Sequence, residues 1–517
     1  MEILYSWVAL FCAAYLLQQA WKMLKWAWFE PRKKEKRLRE QGFSGNSYRF
    51  MMGDFKEMAA MAKEAKSKPM AFSHDIAPRV MPFIHQSVQE HGENCMIWFG
   101  PSPAILISDP EMMKEILSKN YVFLKPKSPL TKLLAQGLAV YEADKWAKHR
   151  RLLNSAFHLE KLKLMLPSFY LSCVEMVSKW EKIIIPHGGS CEVDVWPHLQ
   201  AMSSDVISRT AFGSSYEEGR KIFELQKEQG GLVVKALLTD HIPGWRYLPT
   251  KINTRMKEVA KEVDSCILGI IRKRMRMIEA GETDSNVDLL GILLESNLNE
   301  IKQNGKNELG MSFRELIDEC KLFYIAGQET TSALLVWTMI LLSKHPDWQT
   351  RARDEVLHVL GNDKPDFHNL NRLHIVSMIF HEVMRLYPAA IMLSRAVSKE
   401  SRIGDVTLPA GVQVLLPTLL VQHDCKAWGE DAKEFKPERF SEGVSKAMRG
   451  QLMYFPFGGG PRICIGQNFA MLEAKMALAL ILKHYSFQLS PSYAHAPHML
   501  LSLHPQHGAP LILHALH

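Results

Sequence analysis

"PFGGGPRICIG", residues 456–466, sets one cysteine, Cys464, among four glycines and two residues after Arg462. Glycines are entropically costly to order, so something other than the loop's own side chains must hold it. A nucleophilic cysteine needs a base, usually histidine, and the neighbouring sequence supplies none. A lone thiolate bound to iron needs no base. It needs a tight loop that lets backbone N–H groups approach the sulfur, with an apolar shield such as Phe457. The pattern "IGQNFAMLEAKMALALILKHY" (465–485) predicts a helix just after Cys464, with its N-terminal dipole directed at the sulfur. The glycines then let a flat cofactor and the loop pack closely.

Three upstream stretches bear on this. "YEADKWAKHRRLLNSAFH" (141–158) predicts a helix with Asp144 near its start. Trp146 and Arg150 lie four apart on one face and together suit a carboxylate or propionate pair; a basic surface helix is the competing reading. "MSFRELIDECKLFYIAGQETTSALLVWTMILLSKHP" (311–346) predicts a long helix, apolar from Leu322 to Leu342 except for "AGQETT". A groove at Ala326–Gly327 would leave room for a small molecule. Thr330 could hydrogen-bond that molecule and Glu329 could pass protons, unless the stretch is a kink with the threonine bonded back to its own helix. "MIFHEVMRLYPAAIMLSRAV" (378–397) carries Glu382 and Arg385 three apart in an apolar helix. That suggests a buried ion pair, with Arg439 of "FKPERF" (435–440) as a third member. Pro388 ends the helix and Arg395 follows on a predicted strand.

The chain has 517 residues, 47% hydrophobic and 23% charged, enough for a large core. No Pro/Gly/Ser-rich linker divides it, and "EAGETDSN" (279–286) and "KQNGKNELG" (302–310) read as surface loops. Eight scattered cysteines without CxxC pairs argue against a disulfide framework or structural zinc and favour a reducing compartment. The net charge of +8 is spread along the chain without a nucleic-acid motif, so no nucleic-acid partner is expected; attraction to anionic membranes or an acidic partner fits better.

The N-terminus is apolar from Ile3 to Leu17, extended by Trp21, Leu24, Trp26, Trp28 and Phe29. A bilayer core of roughly 30 Å needs about 20 helical residues, which this stretch supplies if Lys22 and Lys25 snorkel. The basic run Arg32, Lys33, Lys34, Lys36, Arg37 and Arg39 then places the following body in the cytosol. A cleaved signal peptide would carry its positive charge before the apolar run, where Glu2 stands instead. A surface-lying amphipathic helix is the other alternative. The expected organisation is a transmembrane anchor at 1–29, a basic linker at 30–50 and one catalytic domain at 51–517.

Taken together, these motifs resemble the cytochrome P-450 family of haem-thiolate monooxygenases. "FGGGPRICIG" matches its F-x-x-G-x-R-x-C-x-G signature at Phe457, Gly460, Arg462, Cys464 and Gly466. "AGQETT", "WAKHR" and Glu382–Arg385 with "PERF" match the oxygen-side helix, the haem-propionate helix and the Glu–Arg–Arg network. The resemblance implies a mainly α fold with small β-sheets, preceded by one transmembrane helix, and haem b (iron protoporphyrin IX) with Cys464 as axial metal ligand. It implies Trp146, Arg150, Arg395 and Arg462 as propionate partners, Ala326 and Gly327 beside dioxygen, and Glu329 and Thr330 as the proton-delivery pair. Expected partners are O2, membrane lipid, a hydrophobic small-molecule substrate and an NADPH-cytochrome reductase, with the protein in the endoplasmic reticulum membrane. Leu322 and Ile325, with Ile391, Met392 and Leu393, are candidate substrate-pocket walls, as is the loop 122–141.

"WGEDAKEFKPERFSEGVSKA", "IGQNFAMLEAKMALALIL" and "LSPSYAHAPHMLLSLHPQHGA" further resemble a plant clan that oxidises terpenoids. Pentacyclic triterpenoids, iridoid glucosides and gibberellin-type diterpenes are its substrate classes. Three departures stand out. "EQGFSGNSYR" replaces the usual Pro-rich hinge, Ala389 stands where a second proline often follows Tyr387–Pro388, and Gly459 replaces a bulkier residue, which predicts a more open face around the loop. Two other functions compete: a haem-thiolate isomerase or dehydratase, against which Glu329–Thr330 argues, and a non-catalytic membrane scaffold. Lys148, Arg151 and Arg439 read either as a reductase-docking surface or as solvated charges.

Overall fold

The computed structural model describes residues 1–134, 136–237, 239, 242–281, 288–295 and 310–516. Most of the two polar stretches read as loops, 282–286 and 302–309, lie outside the described residues. The fold is mainly helical with small sheets. The first helix, α1 (Glu2–Leu24), runs through a π-helical turn at Lys25–Phe29 into α2 (Glu30–Glu40). Its apolar side chains face outward, Trp7 67% and Leu17 70% exposed. The combined helix is long and apolar enough to cross a bilayer.

The basic segment after it is helical rather than extended, because its charges pair along the helix: Arg32 and Arg39 both reach Glu35, at 3.5 and 3.0 Å. It also docks on the body. Leu38 is buried, Arg37 pairs with Glu400 at 2.5 Å, and the Gln41 side chain accepts the Thr407 N–H. In place of a Pro-rich hinge, Ser44–Gly45 forms strand β1, paired in parallel with β2 (Cys95–Phe99).

One six-stranded sheet runs in the order β1-β2-β3-β6-β5-β4, with β3 at Ser102–Leu106, β4 at Phe123–Leu124, β5 at Leu393–Val397 and β6 at Gln413–Leu416. The helical body is built from α3 (Ala143–Ala156), α4 (Leu159–Ile184), α5 (Val195–Phe212), α6 (Tyr216–Ala236), α7 (Lys251–Glu279), α8 (Phe313–Lys344), α9 (His374–Leu386) and α10 (Gln467–His484). Helix α8 runs through its centre. Ser312 and Glu315 close a capping box at its start, and Pro346 begins the next helix just beyond its end. Although α8 is long and apolar enough to span a membrane, most of it is buried, so it is a core helix. A C-terminal hairpin of β7 (Pro497–Met499) and β8 (Leu503–Pro505) hangs on α8 through the Trp337 indole N–H, which donates to the Leu503 carbonyl at 2.9 Å.

Candidate functional site

The loop 456–466 is held by its own backbone. Gly458 N–H donates to Phe455 O at 3.1 Å, Ile463 N–H to Gly460 O at 3.1 Å and Cys464 N–H to Phe457 O at 2.9 Å. Gly458 and Gly460 take left-handed φ of 76° and 66°, which favours glycine. At Gly460 a Cβ would in addition overlap the Leu117 carbonyl oxygen, so no other residue fits. Gly459 has extended backbone, and the Leu117 side chain fills the space beside it, 3.1 Å from where its Cβ would stand. The expected opening at that position is therefore closed from the neighbouring helix.

Cys464 is exposed by surface yet lies deep in the molecule, as expected for a side chain that lines an interior hollow. Burial pushes its thiol pKa up; the Gly466 N–H and the Arg150 charge pull it down. Helix α10 starts at Gln467, as the sequence pattern predicts. Phe157 connects this loop to the central helix. Its ring lies 3.7 Å from where a Gly466 Cβ would stand and 5.9 Å from the ring of Phe323, one turn before Ala326.

On α8, Ala326 and Thr330 are exposed within a helix whose following residues are almost all buried. Four residues apart, they open one face, together with half-buried Leu322. Thr330 Oγ1 donates back to Ala326 O at 2.7 Å, which is the self-bonded geometry of the competing reading, but its side chain remains exposed. Half-buried Glu329 turns away and accepts from Ser502 Oγ at 3.0 Å. Gly327 departs from its expected role. A Cβ there would stand 2.7 Å from the Ile207 side chain of α5, so this glycine permits two helices to approach rather than opening a groove.

A cationic cluster lies beside the loop. Arg150 Nη1 donates to Ile463 O at 2.8 Å, and the Arg462 guanidinium stacks over the Trp146 ring at 4.8 Å. Arg462 also pairs with Glu142 and donates to Tyr141 O at 2.7 Å. Arg395 is 2% exposed and donates to Ser394 O at 2.8 Å. Burial and the Arg462 charge lower its pKa to about 10. Lys125 joins them, held down to about 7 by burial and by the Arg395 and Arg462 charges. Among the described residues, the buried Nε atoms of Arg395 and Arg462 have no hydrogen-bond acceptor.

This donor set fits a haem. Orphaned guanidinium N–H groups in a cluster of like charge call for a dianion such as two propionates, and one thiol beside a hollow suits a single axial bond. In the sequence Lys125 is only one residue of the candidate pocket loop 122–141, because adjacency to Arg395 and Arg462 is created by the fold.

Glu382, Arg385 and Arg439 come together as expected. Arg385 grips Glu382 with two bonds of 2.7 and 2.8 Å and donates to the carbonyls of Gln422 and Ala432 at 2.8 and 2.6 Å. Arg439 lies 3.5 Å from the same carboxylate and 2.6 Å from Asp431. It is thus an internal partner and not a docking charge. Lys148 reaches the Gly310 carbonyl at 2.5 Å.

Of the pocket candidates, Ile325, Met392 and Leu393 are half-buried and Ile391 is 7% exposed. The Ile391 carbonyl accepts Leu419 N–H, and the Ala389 carbonyl accepts Leu503 N–H, both at 3.1 Å, so Ala389 does not leave this stretch loose. Leu130, in the loop 122–141, packs into a small cluster with Val233, Ala236 and Met256.

Sequence reading did not single out Glu473. It is fully buried between α10, Ser203 of α5 and Thr331 of α8. Burial outweighs the two hydroxyls and raises its carboxyl to about 8. As pH rises from the ordinary carboxylate range toward 8, the unfolded chain ionises while the folded carboxyl stays neutral, so stability falls through that window. Glu473→Gln is expected to melt at about the wild-type temperature near pH 5 and several degrees higher near pH 8, by thermal unfolding. A difference independent of pH would count against the buried neutral acid.

The family model described as "Cytochrome P450" matches residues 78–508. "Cytochrome P450 72A397" of Kalopanax septemlobus is 60% identical over 498 residues, covering 96% of this chain and 95% of its own. "Cytochrome P450 CYP72A219" of Panax ginseng is 58% identical over the whole of both chains, and "Cytochrome P450 72A68" of Medicago truncatula is 54% identical over 98% of each.

Proposed function

The chain belongs to the cytochrome P450 family of haem-thiolate monooxygenases, and from that premise we propose that it oxidises a hydrophobic plant terpenoid, a pentacyclic triterpenoid before an iridoid glucoside or gibberellin-type diterpene. Family membership brings with it dioxygen, a redox partner and a hydrophobic substrate, and decides for the monooxygenase over the isomerase and scaffold readings. The substrate class rests on the terpenoid-clan likeness of the three C-terminal stretches and on the plant relatives. The proposed electron donor is an NADPH-cytochrome reductase. Anchorage is by residues 1–29 in the endoplasmic reticulum membrane, with the basic segment 30–50 and the body 51–517 on the cytosolic side; the outward apolar face of α1 supports it.

When bound, haem supplies activation of dioxygen and insertion of one oxygen atom into a C–H bond. The protein's share is to bind, orient and move protons. In the proposed assignment Cys464 would hold the haem iron through its thiolate, with Gly466 N–H and Arg150 favouring its charged form. Trp146, Arg150, Arg395 and Arg462, joined by Lys125, would hold the propionates, and Phe457, Gly460 and Gly466 shape the loop. Leu322, Ile325, Ile391, Met392 and Leu393 wall the substrate. Thr330 Oγ1 holds a proton at the open face beside Ala326, and Glu329 resupplies it.

The observation that carries this reading is the open Ala326–Thr330 face, joined to the Cys464 loop through Phe157. Membranes containing this protein and a plant reductase, given a panel of the three terpenoid classes, should yield a product one oxygen heavier only with NADPH. A thiolate-ligated protein with no product from any panel compound would overturn the substrate class and leave the family standing. Thr330→Ala should keep consuming NADPH but form about tenfold less product per NADPH, with the balance as hydrogen peroxide, because a positioned proton donor contributes roughly 10²–10⁴-fold. Unchanged coupling would remove Thr330 from proton delivery.

A further inference from the structure

Glu329 is bonded away from Thr330, its neighbour in sequence and in the proposed chemistry. Its carboxylate accepts from Ser502 Oγ at 3.0 Å, and Ser502 is completely buried just before β8. The hairpin does not need this bond to stay in place. Leu503 N–H donates to Ala389 O at 3.1 Å, and Leu503 O accepts the Trp337 indole N–H at 2.9 Å. Ser502 therefore supplies one hydroxyl, fixed by the two bonds of the adjacent Leu503, to the single acid on this part of α8.

His504 lies two residues on. Its Nδ1 is 3.0 Å from the Ser502 carbonyl, which can only accept, so Nδ1 carries the proton and a neutral ring leaves Nε2 free to take another. The ring stacks flat on Trp196 of α5 at 5.5 Å and meets His498 edge-on at 5.7 Å. The charges that act on it come from four sides: Glu329 of α8 and the Ser502 carbonyl favour its protonated form, while burial, Lys227 of α6 and Lys66 oppose it. His498 in turn senses Lys66 and Arg79. The balance lies on the neutral side, with the ring's pKa lowered, by burial above all.

We propose that Ser502 is a positioning residue for proton delivery, which retains Glu329 while it is ionised and releases it once it is protonated, with His504 as the neighbouring group through which the proton arrives. The inference rests on the reading of Glu329 and Thr330 as the proton-delivery pair. A hydroxyl donating to a carboxylate makes a charge-assisted bond, about twice as strong as the same bond to a neutral acid. A proton passing from solvent to the Glu329 carboxylate neutralises it and weakens its hold on Ser502. The acid can then turn toward Thr330, give that proton to the hydroxyl relay, and return as the anion to Ser502. One proton enters and one leaves in each cycle, and Ser502 keeps its own.

The test uses the haem-loaded enzyme with reductase, NADPH and dioxygen as the only reactants, read as hydrogen peroxide per NADPH consumed. Hydrogen exchange of residues 497–505 provides a second readout on the same protein. Ser502→Ala should raise the peroxide share at least about twofold, since the acid loses its charge-assisted partner. Ser502→Thr, which keeps the hydroxyl, should restore the wild-type share. Exchange of the hairpin should stay at the wild-type rate, because the two Leu503 bonds remain. His504→Gln should flatten the pH dependence of the peroxide share at pH values below the ordinary histidine range, where the lowered pKa of the ring places its titration. If Ser502→Ala instead speeds hairpin exchange with the peroxide share unmoved, while Glu329→Gln raises it, Ser502 is only structural and the inference fails with the reading of Glu329 intact. If Glu329→Gln leaves the share unmoved as well, that reading falls and takes the inference with it.

Discussion

Cys464→Ala should abolish NADPH-dependent product formation and the spectroscopic signature of thiolate-bound haem together. The expectation follows from how little else in the chain could take over. All eight cysteines are free, but Cys173 and Cys320 are fully buried with carboxylates near them, which pushes their thiols far up, and Cys95 is raised to about 12 by burial. Cys12 and Cys425 are exposed, one in the N-terminal helix and the other at a helix start far along the chain from the loop. Only Cys464 combines an interior position with two groups that favour its anion, Gly466 N–H and Arg150. Without a metal, burial keeps its proton on. Metal binding replaces that proton, so affinity should weaken as pH falls. Cys464→His offers a neutral ligand in place of the anion, and should lose the thiolate signature and oxygenation even if it retains some haem. Turnover at the wild-type level in either variant would overturn the ligand assignment.

The parts of this site legible in the sequence are those in which chemistry and spacing coincide within one segment. The Cys464 loop declares itself by four glycines around one thiol, and α8 by a long apolar pattern broken at Glu329–Thr330. Glu382–Arg385 is three residues apart in an apolar helix, so its burial could be anticipated. What escaped notice depends on segments meeting across the fold. Lys125 matters because strand pairing of β4 with β5 sets it near Arg395. Phe157 matters because it touches both Gly466 and Phe323, and Ser502 because the hairpin places it on Glu329.

Two positions were legible as residue types and yet have another use. Gly327 in a helix signals a missing side chain, but periodicity alone does not say what fills the gap; here it is Ile207 rather than a small molecule. The charged run after Phe29 reads as a linker by composition, and only its pairing along the helix, with Glu35 between Arg32 and Arg39, keeps it helical to Glu40.

Glu382→Gln should be the most damaging substitution away from the loop. Glu382 and Arg385 are both fully buried, and Arg439 shares the same carboxylate. Glutamine keeps the shape but removes the charge, leaving two guanidinium groups beside one neutral amide. Breaking a buried pair in this way costs about 3–5 kcal/mol, against a total stability of about 5–15 kcal/mol for a folded domain. The damage should also travel. Arg385 donates to the Gln422 carbonyl, and the Gln422 side chain accepts the Phe455 N–H at 2.9 Å and donates to the carbonyls of Met384 and Arg385. Phe455 in turn accepts the Gly458 N–H that begins the Cys464 loop. A loosened Arg385 therefore reaches the proposed ligand through one side chain and one turn. The expected outcome is sharply reduced haem per protein in membranes, with thermal unfolding lowered by many degrees. Glu382→Asp should fall between, since it keeps the charge but shortens the reach. Full haem content with an unchanged melting temperature in Glu382→Gln would show that the network does not govern the loop, and that Gln422 is only packed against it.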